Sequence, residues 1–477
     1  MHRYRHSRLA ALMAVVLGLT ACDDLLQGPG LTENPNSPLD IAATPEQLII
    51  AIQARQFTME QGQLARSAAI WTQQLSGIFN QQKEWGSAYN FTENDISGHY
   101  NGTYLAGGLL DIRKVQELSS DNRLRGIAMV WEGLAMGRAA SLWGDVVYSQ
   151  ALDPTTYPQP VLDPQQQVYT QVQAKLDEAI AALTGASNDA YPLDLVFNGN
   201  SDRWRRAANT LKARYHLHTA PRLGAAAYQA AITAANSGIN EAPTSVVMAM
   251  DHQAPGNMRS WHGNTLDDGN IWSQFNEART DLAANERFVN VLKARNDPRL
   301  EQWFQPEAAD GEIYGANRFG NLTAAGAAGT LNRLTRVPRV FRQPIATWAE
   351  NQLILAEAHF QTGAPGTALT HVNNVRTAVG LDPLAGPVTL EQIMVEKWIA
   401  QFQNIDVYSD WRRTCYPRLQ PGGANEAAPA AAIPGRYPYG SGERLQNTNV
   451  PIPSQAPAKN WNHAEITCPT TLADATI

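Results

Sequence analysis

Apolar positions recur at helical spacing along several stretches of the chain. Over 122–142 the side chains of Leu124, Ile127, Trp131, Leu134 and Leu142 form one stripe, and over 165–183 the stripe is Val168, Val172, Leu176, Ala179 and Leu183. A 3.6-residue period puts such positions on one face, which predicts two amphipathic helices. Asp163-Pro164 is expected to open the second, because the carboxylate can accept from an orphan amide and a proline at the first helical position gives up an N–H that would be unpaired anyway. Further helices are expected over 202–219, 225–235 and 286–294. In the last third a helix over 347–361 stops at Gly363, suited to a left-handed cap. After Ala364-Pro365 a second helix runs through Leu369, Val372, Val375 and Val379 to Gly380. So short a link forces the two to pack antiparallel. Thr389, with Gln392 three residues on, has capping-box spacing and starts another helix. Helices in adjacent pairs predict an all-α fold with little β structure, a tetratricopeptide-like superhelical scaffold lacking a strict repeat signature.

Three stretches, 79–108, 250–274 and 305–332, are neither helical nor alternating. They hold much glycine and asparagine together with Trp85, Tyr89, Tyr100, Tyr104, Trp261, Trp272 and Tyr314. Loops of this length inside a compact domain are usually functional or disordered. An indole or phenol ring offers a flat apolar face and one polar handle, which suits the apolar face of a pyranose whose hydroxyls bond nearby amides and carboxylates. Trp85 and Tyr89, beside Asn90 and Asn94, make one candidate platform. Trp261 and Trp272, with Asn264, Asp267, Asp268 and Asn270 between them, make another, and Tyr314 is the candidate in the third stretch. Trp71, Trp131, Trp204, Trp348 and Trp398 lie on helical stripes and belong to the core.

The N-terminus changes the picture of where this body works. Arg3, Arg5 and Arg8 precede an apolar run over 9–19 that ends in Leu19-Thr20-Ala21-Cys22. That is the pattern of a lipoprotein signal over 1–21, with Cys22 as the lipidated first residue of the mature chain. The run is too short to cross a hydrocarbon core of about 30 Å. Residues 22–40, with Gly28-Pro29-Gly30 and repeated Asn and Pro, read as a lipidated linker, and 41–477 as a single domain. Hydrophobic content of 44% and charged content of 17% describe a globular chain. The formal charge of −7 becomes more negative once the three arginines are cleaved away, so nucleic acid is excluded as a partner. Cys415 and Cys468 remain after Cys22 and, in an exported protein, can pair as a disulfide.

Catalytic patterns are missing: the chain has no His-Glu-x-x-His, no Gly-x-Ser-x-Gly, no phosphate-binding glycine loop and no Cys-x-x-Cys. Asp267-Asp268 are adjacent and face apart, whereas a glycosidase pair spans about 5–9.5 Å across the scissile bond. His216 and His218, two apart, point different ways on a helix and share no metal. The same acidic loop, with Asn264 and Asn270, has oxygen donors of the kind a structural Ca²⁺ takes; no other cofactor is expected. Glu357, Arg376, Glu396, Arg412 and Arg413 fall on or beside packed helices and read as scaffold ion pairs. Three function classes remain: a binding lipoprotein, an exported α-helical glycan-degrading enzyme, and an envelope scaffold of helix pairs without a small ligand.

Several segments, in order, resemble the SusD/RagB family of nutrient-uptake lipoproteins. Asn34-Pro35-Asn36-Ser37-Pro38 before a helix opening at Thr44-Pro45 is similar to its post-lipid segment, and Leu142-Trp143-Gly144-Asp145-Val146-Val147-Tyr148 to a turn after an early helix. Asn296-Asp297-Pro298-Arg299-Leu300 resembles its mid-chain element. Leu353-Ile354-Leu355-Ala356-Glu357-Ala358 with Val372-Asn373-Asn374-Val375-Arg376 resembles its paired C-terminal helices, so that the C-terminal family segment covers about 335–477. Glu396-Lys397-Trp398-Ile399-Ala400, Asp410-Trp411-Arg412-Arg413 and Arg436-Tyr437-Pro438-Tyr439 complete the series. The stretch 401–404 departs from the pattern, marking a divergent subgroup whose ligand does not carry over. The resemblance implies an outer-membrane lipoprotein without enzymatic activity that captures an oligosaccharide or peptide. It also implies a partner, a SusC-like TonB-dependent β-barrel transporter, over which the protein acts as a lid. Asp23-Asp24 directly after the lipid site would favour inner-membrane retention under one sorting rule; the resemblance implies the outer membrane.

Overall fold

Paired helices build the scaffold, as the periodicity predicts. The computed structural model describes residues 43–322 and 326–469; the signal, Cys22, Asp23-Asp24 and the linker over 22–40 lie outside the described residues. The chain divides into two compact units, Met1–Gln47 and Leu48–Ile477. Of the first, residues 43–47 are described, and there Thr44 N donates to Gln47 Oε1 at 3.1 Å.

The helices are α1 (Pro45–Gln61), α2 (Gln63–Trp71), α3 (Glu93–Gly102), α4 (Leu109–Leu118), α5 (Asn122–Trp143), α6 (Gln165–Leu183), α7 (Ser201–Leu223), α8 (Ala225–Ala235), α9 (Glu286–Ala294), α10 (Trp348–Gln361), α11 (Pro365–Ala378), α12 (Leu390–Ala400) and α13 (Asp406–Thr414). From α4 to α8 each packs on the next, α8 packs on α10, and α10 packs on α11 and α12. The C-terminal hairpin therefore continues the N-terminal array, although some 110 residues of loop and short elements separate them in sequence. Close approach within the array depends on glycine. A Cβ on Gly137 of α5 would lie 2.2 Å from the Tyr215 ring of α7, and one on Gly133 would lie 2.6 Å from Leu176 of α6. Trp131 and Trp204 meet edge to face at 5.5 Å across α5 and α7, and the five tryptophans expected in the core are all buried.

Two expectations need correcting. Asp163 does not cap α6: its carboxylate accepts from Tyr148 N and Ser149 N, each at 2.8 Å, while Asp145 Oδ1 accepts from Gln165 N at 2.8 Å and does the capping from the preceding loop. The stretch 79–108 is not irregular throughout, because α3 lies within it, opened by a capping box in which Asp95 accepts from Thr92 N at 2.7 Å.

Strands are short and pair two by two, all antiparallel: β1 (Leu75–Gly77) with β3 (Leu282–Ala284), β2 (Met258–Arg259) with β6 (Pro344–Ala346), β4 (Phe304–Gln305) with β5 (Thr330–Leu331), and β7 (Gly423–Asn425) with β8 (Ala428–Pro429). The first three tie the long loops to one another and to the scaffold. Buried ion pairs fasten the C-terminal helices. Arg413 forks onto Glu357, and Lys397 Nζ lies 2.9 Å from Asp410. Glu396 meets Arg299 at 2.7 Å and also Arg295. Cys415 and Cys468 are joined by a disulfide that closes the last loop onto the end of α13.

Candidate ligand-binding cavity

Four segments distant in sequence converge beside α9. Strand β1 leads into a turn over Lys83–Ser87, where Lys83 Nζ donates to Asn321 Oδ1 at 3.1 Å and Ser87 Oγ to Gly77 O at 3.1 Å. Tyr89 follows in a left-handed conformation, φ 59°, and its hydroxyl accepts from Gly422 N at 2.8 Å. Gly422 is a point of close passage: a Cβ there would stand 2.3 Å from Ser87 O and 2.7 Å from Arg318 O. On the other side, Asn285 caps α9 through its Oδ1, which accepts from Arg287 N at 2.9 Å, and its amide donates to Ser76 Oγ of β1 at 2.9 Å. Glu286 N donates to Ala316 O at 2.8 Å, bringing the 316–321 turn alongside the start of the helix.

The space left between these segments is a cavity of about 400 Å³, within the roughly 300–1,000 Å³ of small-ligand sites. Its walls carry the amides of Gln73, Asn290, Asn317 and Gln420, the guanidiniums of Arg287 and Arg318, and the carboxylate of Glu286; Val291 and Ala294 supply its apolar part. Some of these groups are fixed by the protein. Gln73 donates to Gln420 O, Asn317 Oδ1 accepts from Phe319 N at 3.0 Å, and Arg318 Nε donates to Pro421 O at 3.1 Å. Burial lowers the Arg287 guanidinium from its usual range, against a pull upward from Glu391. An amide both donates and accepts, so a wall of amides answers the mixed donor and acceptor pattern of sugar hydroxyls. Glu286 is the one carboxylate in the lining among the described residues. The cavity therefore lacks the two facing carboxylates that glycoside hydrolysis uses.

The expected aromatic residues fall into three groups. Trp85, Tyr89 and Tyr314 adjoin the elements that wall the cavity. Trp85 is half-buried in the Lys83–Ser87 turn with its ring 5.9 Å from Phe91. Tyr89 stands behind Gly422, edge-on to Trp71, and burial pushes its hydroxyl up. Tyr314 lies over the Lys293 ammonium of α9 at 5.1 Å and donates to Asp310 at 2.9 Å. Trp261, 42% exposed, and the exposed Asn264 and Asp267 occupy a separate loop. That loop's end is held by backbone contacts to the 339–343 segment, Asn270 N donating to Arg339 O at 2.7 Å. Trp272 is a correction: it is 0% exposed and donates through its indole N–H to Gln343, so it is core and shares no platform with Trp261.

Two of the oxygen donors of that acidic loop, Asp268 and Asn270, are engaged by the protein. Asp268 accepts from Thr265 N at 3.0 Å, and Asn270 caps a helical turn through Trp272 N. No group of three or more His, Cys, Asp or Glu able to hold a metal occurs among the described residues. The cavity residues Gln73, Arg287, Asn290, Arg318 and Gln420 escaped the sequence reading, which followed aromatic rings. The usable signal was the polar face of α9, where Arg287 and Asn290 are one turn apart beside the capping Asn285.

No helix among the described residues is long and apolar enough to cross a membrane. Residues 35–378 match the family model for starch-binding proteins associating with the outer membrane, and residues 370–452 match the model for SusD and RagB outer membrane lipoproteins. Among solved structures, a chitin-binding protein superposes with a TM-score of 0.72 at 20% identity, over 88% of this chain and 100% of its own. A SusD/RagB family protein from Bacteroides thetaiotaomicron gives 0.65 at 19%, over 89% and 97%. A chitin-binding SusD homolog from Flavobacterium johnsoniae gives 0.69 at 17%, over 90% and 98%. At these identities the likeness is one of fold. No curated protein matches the chain.

Proposed function

Because the chain belongs to the SusD-like family of outer-membrane lipoproteins, we propose that it captures oligosaccharides at the cell surface and delivers them to a SusC-like TonB-dependent barrel, with no bond made or broken. The observation that carries this reading is the amide-walled cavity of about 400 Å³ beside α9. Chitin binding by two of the fold neighbours and the starch-binding description of the family model support a glycan as ligand. The rival reading of a glycan-degrading enzyme is disfavoured by the single carboxylate in the cavity lining. Trp85 and Tyr314, flanking the cavity elements, and Trp261 on its own exposed loop are the rings proposed to stack on sugar.

The lipid on Cys22 would hold this body at the membrane: each buried methylene contributes about 0.8 kcal/mol, and the several acyl chains of a lipoprotein exceed the marginal hold of one. A glycan array probed with the full chain and with Asn290→Trp tests the proposal. Asn290 is exposed and makes no side-chain hydrogen bond that the fold depends on, so an indole there should fill the cavity without unfolding the protein. Binding to one or more oligosaccharides that falls at least tenfold in the variant is expected. Array binding that the variant leaves unchanged would remove the cavity from the function, and no binding at all would count against the glycan reading.

A further inference from the structure

Several arginines of this protein hold carboxylates in two-pronged forks. Arg203 grips Glu241 with both nitrogens at 2.9 Å, Arg214 grips Glu350 at 2.6 and 2.8 Å, and Arg444 grips Glu93 at 2.5 and 2.8 Å. The two arginines lining the cavity hold no carboxylate. Arg287 is half-buried, with its Nε and Nη2 enclosed by the protein and without a hydrogen-bond partner, so it lends the cavity a positive charge that no anion answers. Arg318 is anchored by Nε to Pro421 O and by its face to the Phe319 ring at 4.5 Å, and no hydrogen bond ties its terminal nitrogens. Neither makes an ion pair with any described residue. Glu391 acts on Arg287 only at longer range, and Glu286 is the sole negative group of the lining.

A guanidinium drawn out of water without an anion is costly, and a positioned one in a ligand cavity selects for the anion it lacks. Building on the glycan-capture reading, we propose that the cavity's ligand is an acidic oligosaccharide whose uronate carboxylate is gripped by the terminal nitrogens of Arg318 and attracted by the charge of Arg287. A planar carboxylate fits a guanidinium edge bidentately, and such charge-assisted forks are roughly twice as strong as neutral hydrogen bonds. The amides of Asn290 and Gln420 then serve the ring hydroxyls. Glu286 accepts from a hydroxyl and repels a second carboxylate at its end, which places the acidic group on the arginine side.

Isothermal titration calorimetry on the full chain tests this with paired probes: galacturonate, mannuronate and glucuronate oligosaccharides, each beside its carboxyl-reduced neutral form, and a sulfated neutral oligosaccharide. At least one uronate should bind ten times or more tighter than its reduced partner. That ratio should shrink as salt rises and fall toward one in Arg318→Gln and in Arg287→Gln, whose melting temperatures confirm that they fold. Equal affinity for every uronate and its reduced form overturns the inference, as does tighter binding of the sulfated probe or a ratio unchanged in both variants. If neutral forms bind equally well and Asn290→Trp abolishes that binding, the carboxylate inference fails while glycan capture stands. If no oligosaccharide binds, the capture reading itself fails.

Discussion

Glu396 gathers three charges from two segments: Arg295 and Arg299 after α9, and Arg376 of α11 at 3.3 Å. It is 1% exposed. Burial alone would raise its carboxyl, but Arg295 and Arg299 hold it down at about 2, below the ordinary 4.5. A folded value under the unfolded one means the stabilisation is complete above about pH 4.5 and is lost as pH falls through about 2. His262 adds a loss at higher pH. Burial keeps it neutral down to about 4 from an ordinary 6.5, so between those values the unfolded chain binds the proton that the folded chain refuses. Denaturant midpoints measured at pH 7, 5 and 3 should therefore fall in that order; a maximum near pH 4 would contradict the assignment. Glu396→Gln removes the carboxylate that three guanidiniums share, leaving Arg299 and Arg295 only Asp297, and should cost about 3–5 kcal/mol in urea unfolding at pH 7. A loss under 1 kcal/mol would place those arginines in solvent. At this scale the sequence showed which residues are ionic scaffold, since Glu357, Glu396 and Arg413 sit on apolar helical stripes. It did not separate Trp261 from Trp272. Both lie in one glycine- and asparagine-rich stretch, and burial of Trp272 is decided by Gln343, about 70 residues away, which no local pattern encodes.

Helices with strong periodicity were legible nearly to the residue. The bounds of α6, α8 and α9 are those expected over 165–183, 225–235 and 286–294. Helix α3 was hidden because its stretch was judged by its glycines and asparagines, while the Thr92-to-Asp95 capping box that opens it was present all along. The start of α6 shows the opposite fault: Asp163-Pro164 had the right local chemistry, but tertiary structure claimed the aspartate for the 148–149 backbone and supplied Asp145 in its place. The C-terminal loop is held differently, by Cys415 and Cys468, 53 residues apart. Closing a loop of that length restricts the unfolded chain by about 4 kcal/mol in the chain-entropy model. Thermal melts with and without reductant should show a clear drop in melting temperature on reduction, and Cys415→Ser with Cys468→Ser should reproduce it. An unchanged melt would mean that the disulfide stabilises nothing.

For the whole molecule, the fold class and the family were legible, because helix pairs, a lipoprotein signal and scattered segments in the right order all constrain one answer. The cavity was not. Gln73, the residues of α9, the 317–318 turn and Gln420 are brought together by β1–β3 pairing and by the close pass of Gly422, and none of those contacts has a sequence signature. The proposed partnership also belongs to this scale. Affinity purification of the tagged, lipidated chain from solubilised outer membranes should recover a large TonB-dependent β-barrel, and recovery of the chain alone would contradict delivery to such a transporter. The central claim is that glycan is captured in the cavity beside α9, and a crystal structure of the protein with the best oligosaccharide from the array tests it most directly. Sugar should lie between Asn290, Arg318 and Gln420; sugar seated on the Trp261 loop, with that cavity empty, would contradict the account.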